Sequence, residues 1–240
     1  MPDPVIMIIV GTFTAFCVLD GFVRARRFPD VTLWRVKGVV SVAVYLMIAW
    51  YSPQLWDAWL ADNTLLAARG LPIWAEVTVG FLVYQLGVYT WHRTMHSVDF
   101  LFRHLHQMHH SAERVDIWSA FWFHPLDVVG FAFIGSLCLV GLLGTSAEAA
   151  FVITIAAAFC GMFQHANIAT PQWLGYVVTR PESHSLHHER NVHAYNYGDI
   201  PLWDMLFGTF RNPVTWNAQA GFHDGGSSRL WSLLIGRRVA

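Results

Sequence analysis

Residues 126–163 read LDVVGFAFIGSLCLVGLLGTSAEAAFVITIAAAFCGMF. The two apolar stretches inside this run, Leu126–Leu143 and Ser146–Phe163, each reach the length of about 18 residues that a helix needs to cross a hydrocarbon core. Only Gly144 and Thr145 join them, which predicts a tight helical hairpin in a membrane. Working outward, three more stretches have the same character: Pro4–Val23, Val39–Trp56 and Leu71–Trp91. Pro53 and Gln54 interrupt the second near its end. The third carries Glu76 and Gln85, polar groups expected to face protein rather than lipid. The expected fold is all-α, a multi-span transmembrane helical bundle, with residues 1–240 as a single integral-membrane domain.

Composition agrees. Hydrophobic residues make up 55% of the chain and charged residues 13%, about half the charged share of a soluble domain. A formal charge of −1 leaves no footprint for nucleic acid, which needs a basic patch. Cys17, Cys138 and Cys160 lie far apart in apolar stretches, so neither a zinc ribbon nor a disulfide framework is indicated. Met1-Pro-Asp-Pro lacks the basic start of a cleavable signal, so the first apolar stretch is expected to be retained.

Basic residues set an expected orientation. With five spans, 14 of the 15 lysines and arginines fall in segments sharing one face, and only Arg69 falls on the other. The positive-inside rule then places those segments in the cytoplasm, and the N-terminus outside, in a multi-pass protein of the cell membrane. The tail around Leu230, Trp231, Leu233, Leu234 and Ile235 reads equally as an interfacial helix or as a strand of chain packed on the domain.

The 13 histidines all fall on that same face. Most belong to three motifs: His92-Arg-Thr-Met-His96, His106-Gln-Met-His109-His110 and His184-Ser-Leu-His187-His188. Residues i, i+3 and i+4 of a helix share one side, so each motif is expected to aim its imidazoles in one direction, as a metal site requires. So many imidazoles exceed the four ligands of one zinc ion and suit two metals. Imidazole alone leaves iron, zinc, copper and nickel open. The motifs hold no carboxylate and the chain no Glu-x-x-His, unlike soluble di-iron bundles. Membrane haem electron transfer and metal transport are alternatives from other classes. Haem wants axial histidines facing each other within the spans, and transport wants ionisable ligands near the midplane; the span centres hold no histidine.

Further signals follow in order: Phe123-His124-Pro125-Leu126, Gln164-His165-Ala166-Asn167, Arg180-Pro181, Asn196-Tyr197-Gly198, Trp203-Asp204 and Phe207-Gly208-Thr209. From about Tyr84 to Pro213, the whole set resembles the fatty acid hydroxylase and sterol desaturase superfamily. The resemblance implies a catalytic region over residues 84–213 under a cytoplasmic histidine-rich helical cap. It implies two iron ions, with zinc as a substitute, that activate O₂ and hydroxylate or desaturate a lipid C–H bond of a sterol, fatty-acyl or ether lipid. The implied ligands are His92, His96, His106, His109, His110, His165, His184, His187 and His188; His124, which with Pro125 opens a span, either caps that helix or is an additional ligand. No haem, flavin or nicotinamide motif is present, so a separate donor is expected to supply electrons, either a reductase with a small haem protein or a ferredoxin.

Around this set, Asp204, Glu113 and Glu189 are candidates to accept a hydrogen bond from a ligand imidazole. Asp204 reads equally as a salt-bridge partner of Arg211. Asn167 is a candidate to hold a metal-bound water, though a helix cap is the better reading. Trp118, Phe121, Trp122 and Phe123 read as interfacial anchors rather than a substrate box. His104 faces away from its neighbours, His193 sits in a polar loop run, and His223 sits in a turn-rich stretch. All three are expected to be dispensable.

Overall fold

The structure is a computed structural model and describes residues 3–239; the sequence reading of Met1 and Pro2 lies outside them. Five long helices form the bundle. They are α1 (Pro4–Phe22), α2 (Trp34–Tyr51), α4 (Ile73–Ser97), α7 (Pro125–Ser136, continued by a π-helical segment, Leu137–Leu142) and α8 (Ala147–His165). A short helix, α3 (Asp57–Asp62), follows α2. Among the described residues there is no strand, only one antiparallel bridge between Glu189 and Ala220.

Four of these helices are long and apolar enough to cross a membrane: Pro4–Phe22, Trp34–Leu55, Pro125–Leu142 and Ala147–His165. The fifth expected span, Leu71–Trp91, is not among them. It forms most of α4, whose 25 residues extend about 37 Å. Glu76, Gln85, His92, Arg93 and His96 dilute its apolar character. Its polar groups face protein: Glu76 accepts hydrogen bonds from the Ser146 backbone N–H and hydroxyl, and Gln85 is fully buried. The helix continues to Ser97 because the histidine-bearing turn remains helical after hydrophobicity fades.

The five helices alternate in direction. Trp34, at the start of α2, donates from Nε1 to Asp116, and the Ala25 amide after α1 donates to the Asn167 carbonyl after α8. At the opposite end, amides of residues 65, 66 and 68 donate to the carbonyls of residues 141–143, beside the α7–α8 turn. Hence α1, α4 and α8 run toward the end that holds the histidines, and α2 and α7 run away from it.

Close approach on α4 depends on glycine. A methyl at Gly80 would lie 2.5 Å from Ile153 Cδ1, and one at Gly87 would lie 2.6 Å from Cys138 Sγ. Small residues are how helices pack without a hydrophobic driving force between them. Here they seat α4 between α7 and α8, which fixes the height of His92 and His96.

The cap is built from α5 (Asp99–Leu101), a π-helical segment (Phe102–His106), α6 (Gln107–His110), α9 (Pro181–His187), α10 (Pro201–Leu206) and α11 (Leu230–Leu234). Phe121 and Trp122 are buried and Trp118 partly so, packed in the core between bundle and cap, and the half-buried Phe123 stacks on His109; these four are not interfacial anchors. The tail packs on the domain through Leu233, which is buried with Trp34, Met108 and Trp122, while Leu230, Trp231, Leu234 and Ile235 stay exposed.

Candidate metal centre

Nine histidines converge beneath the cap in two groups. The first contains His92, His96, His106, His110 and His187; the second contains His109, His165, His184 and His188. Within each group, one ring nitrogen per residue lies within 4.8 Å of all the others. The three motifs therefore do not each point to one place. In α5–α6, the i and i+4 rings of His106 and His110 join the first group, while His109 joins the second. In α9 the assignment is inverted: His184 and His188 join the second group and His187 the first. Consecutive residues of a helix diverge by about 100°, so each His-His pair is split between two neighbouring sites. A π-helical segment runs directly into α6. Such segments occur most often at functional sites.

The inward nitrogens are Nε2. His106 and His92 approach at 2.9 Å, His165 and His184 at 3.1 Å, and His188 lies 3.1 Å from both His184 and His109. Hydrogen bonding cannot satisfy this second chain of contacts, because each imidazole nitrogen carries either one hydrogen or one lone pair. A shared cation can: with metal–nitrogen bonds of about 2.1 Å, ligands at right angles lie about 3.0 Å apart. In the first group, the Nε2 atoms of His96, His110 and His187 are buried with no partner. The residues present thus fit two metal ions. Burial, with the neighbouring rings adding to it, holds His106, His109, His110, His184, His187 and His188 well below the usual imidazole range. They are neutral at physiological pH, with a lone pair free for a metal.

The outer nitrogens are held unequally. His92 Nδ1 bonds the Tyr197 carbonyl at 2.8 Å, His187 Nδ1 the Tyr195 carbonyl at 2.7 Å, and His106 Nδ1 the Asp127 carboxylate at 2.7 Å. His110 Nδ1 pairs with His193 Nδ1 at 3.0 Å. In the second group, only His165 has a partner, the Gly161 carbonyl at 2.8 Å; the Nδ1 atoms of His109, His184 and His188 have none.

Residues 191–197 act as a strap across the first group, supplying His193, the Tyr195 carbonyl and the Tyr197 carbonyl. Asn191, His193, Tyr195 and Asn196 all have positive φ, a left-handed conformation that costs roughly 1–2 kcal/mol per ordinary residue. Such strain persists where the surroundings over-determine it. Asp204 accepts from the amides of Tyr197 and Gly198 and from the Thr209 hydroxyl, and Asn196 donates to Ser183.

Several expectations are corrected here. His124 belongs to neither group. Its Nδ1 accepts from the Leu126 amide, capping α7, and its Nε2 bonds the Leu234 carbonyl, so no nitrogen is left for a metal. None of Asp204, Glu113 and Glu189 contacts a ligand imidazole, and Asn167 neither faces the histidine groups nor caps a helix. Asn167 bridges the Arg26 backbone, Asp204 holds the strap and makes no salt bridge to Arg211, Glu113 accepts from the Ser227 amide, and Glu189 accepts from Trp216. The carboxylate that does touch a ligand is Asp127, fully buried in the first turn of α7. A charge opening an apolar span was its signal. His193, expected to be a bystander, touches His110, whereas His104 and His223 bond only nearby carbonyls outside both groups.

Beneath the histidines, the bundle encloses a cavity of about 370 Å³. His92, His106, His109, His165 and His184 form its roof; Phe121, Phe131 and Met162 line its walls. Asp199 also faces it, its carboxylate bonded by Gln85 and Gln164 at 2.9 Å each. Burial raises the pKa of Asp199 and the two amides oppose that rise.

Comparison with known proteins points the same way. The family model for fatty acid hydroxylase matches residues 77–209. An ornithine lipid hydroxylase, OlsE, of Rhizobium tropici is 31% identical over 146 residues, covering 59% of this chain and 44% of that protein. A Delta(7)-sterol-C5(6)-desaturase of Nicotiana tabacum is 28% identical over 145 residues, covering 58% and 50%. Sphinganine C4-monooxygenase 1 of Arabidopsis thaliana is 24% identical over 139 residues, covering 56% and 54%. The aligned region thus spans about half the length of these relatives. No solved structure matches the chain.

Proposed function

The chain belongs to the fatty acid hydroxylase family, and from that premise we propose that it is a membrane-embedded di-iron oxygenase that hydroxylates or desaturates a lipid C–H bond. The observation that carries this reading is the pair of histidine groups roofing an apolar cavity within a membrane bundle. Two irons bound there would supply O₂ activation and removal of hydrogen from the substrate carbon. The proposed ligands are His92, His96, His106, His110 and His187 for one ion, and His109, His165, His184 and His188 for the other. Zinc would occupy the same nitrogens without the redox chemistry.

The protein's own contribution is positional. The cavity walls hold a hydrocarbon segment against the roof and exclude water. Asp127, His193 and the strap carbonyls keep their imidazoles in the tautomer that presents Nε2 inward. For hydroxylation, the overall balance is one substrate C–H and O₂, with two electrons and two protons, giving an alcohol and water. The electrons come from a separate donor protein. The 14 basic residues gathered at the histidine end support a cytoplasmic cap, within reach of such a donor.

Haem electron transfer and metal transport are not favoured, since every imidazole of both groups sits at one end of the bundle. The test is metal analysis of protein purified without chelators, combined with lipid mass spectrometry of cells with and without the chain. Close to two irons per chain and a lipid gaining oxygen or losing two hydrogens are expected. One metal per chain, or full activity with zinc alone, would overturn the reading.

A further inference from the structure

The cavity does not end at mid-bundle. On α8 its lining runs from His165 through Gly161, Ala157 and Ile153 to Ala150, about 22 Å at 1.5 Å per residue. At the far end the wall passes to Ala49, Pro53 and Asp57. That end is fixed by the fold: α3 packs on the last turns of α7, and a methyl on Gly141 would meet Leu60.

This remote end is polar and unpartnered. Asp57 Oδ1 is shut off from solvent with no hydrogen bond, although the carboxylate lines the cavity. On the same short segment, the Ser52 hydroxyl and Trp56 Nε1 are also buried without partners, and Ser52 is only 7% exposed. Each such group costs about 1–3 kcal/mol if nothing meets it. Of the three, Asp57 alone lines the cavity, at the end away from the histidines, and its free oxygen marks a place where something else supplies the partner. No function described above uses it.

We propose that this segment is the head-group subsite of the substrate lipid, and that it binds a hydrogen-bond donor, a hydroxyl or an ammonium, on Asp57. Ser52 and Trp56 belong to the same segment but not to the cavity lining. The inference rests on the oxygenase reading and sharpens it. With the head at the Asp57 end of the cavity, whose lining on α8 runs about 22 Å to His165, the oxidised carbon lies far down the tail and not beside the head. The span is most of a hydrocarbon core of about 30 Å, so the head enters from the membrane face opposite the metal centre.

The test is equilibrium binding to the full-length, metal-loaded protein in micelles, read by native mass spectrometry with hexadecanol, hexadecylamine and hexadecane as probes. The alcohol and the amine should bind at least about tenfold more tightly than the alkane, the scale of one charge-assisted hydrogen bond. The near-isosteric Asp57→Asn should remove most of that advantage and leave hexadecane unchanged. Ser52→Ala, outside the lining, and Asp62→Asn, on the exposed side of α3, should remove none. A loss confined to the amine would assign an ammonium head, and one shared with the alcohol a hydroxyl head. Equal binding of all three probes by the wild type, or an equal loss of all three in both Asp57→Asn and Ser52→Ala, would overturn the proposal. The oxygenase reading is scored separately, by the lipid mass spectrometry of cells with and without the chain, where the cell supplies the electron donor: no oxidised lipid there fails that reading, while the binding pattern still decides the subsite.

Discussion

The two histidine groups share the two His-x-x-His-His motifs but are supported differently. In the first, a carboxylate, a further imidazole and two strap carbonyls hold the outer nitrogens of His106, His110, His187 and His92. In the second, only His165 is held. Ring orientation and basicity of a metal-bound imidazole depend on that outer bond. The first group is therefore a pre-set cage and the second a looser one that closes on its ion. The cost of the cage is visible in the left-handed residues of the strap, and Asp204 and Asn196 keep that strained segment in place.

The largest effect that would test this contrast is differential metal loss. Each outer partner is worth about 10–100-fold in affinity, so a chelator should strip the second ion at least about a hundredfold faster. A plateau near one metal per chain should appear in a timed chelation series followed by metal analysis. Simultaneous loss of both would erase the distinction.

Next is Asp127→Ala, expected to weaken the first ion by about 10–100-fold, or roughly 1.4–2.7 kcal/mol, with the second retained. Asp127→Asn should recover part of this, because its amide oxygen still accepts from His106 Nδ1. Competition with a metal-buffered indicator reads both variants. An unchanged first site in Asp127→Ala would show that the carboxylate is only packing.

His193→Ala removes one partner, that of His110, and should cost about tenfold at the first site, with His193→Asn intermediate. His104→Ala and His223→Ala should hold metal and activity at wild-type levels. Loss at His104 matching that at His193 would break the division drawn here.

The smallest effect per residue comes from acid, and it should not discriminate between the groups. The six cap imidazoles have folded pKa values pushed down by burial, against about 6.5 when unfolded. Below that value the unfolded chain binds more protons, so stability falls as pH falls and is insensitive to it above. Each imidazole should cost about 0.7 kcal/mol between about pH 7 and 6. Thermal unfolding of metal-free protein measures it; a melting temperature that rises on acidification would contradict the burial of these rings.

The sequence by itself determined the helical membrane class, four spans of sufficient length and apolarity, and the nine histidines that converge. Hydrophobic run length and i, i+3, i+4 spacing are local properties, and helix geometry turns them directly into spans and facing side chains. The sequence also marked α4 as the helix whose polar groups face inward. Tertiary structure alone decided how the motifs divide. His109 and His110 are neighbours in the chain and belong to different groups, because the rings that complete each group come from α4, α8 and α9. It alone chose Asp127 over Glu113, Glu189 and Asp204, since reach to an imidazole depends on where α7 meets α6, 21 residues away in sequence. It alone turned His193 from a loop residue into a partner of His110, and reduced His124 to a helix cap. Those assignments are long-range distances between elements, set by packing at Gly80 and Gly87 and by the strap, and no local period in the chain encodes them.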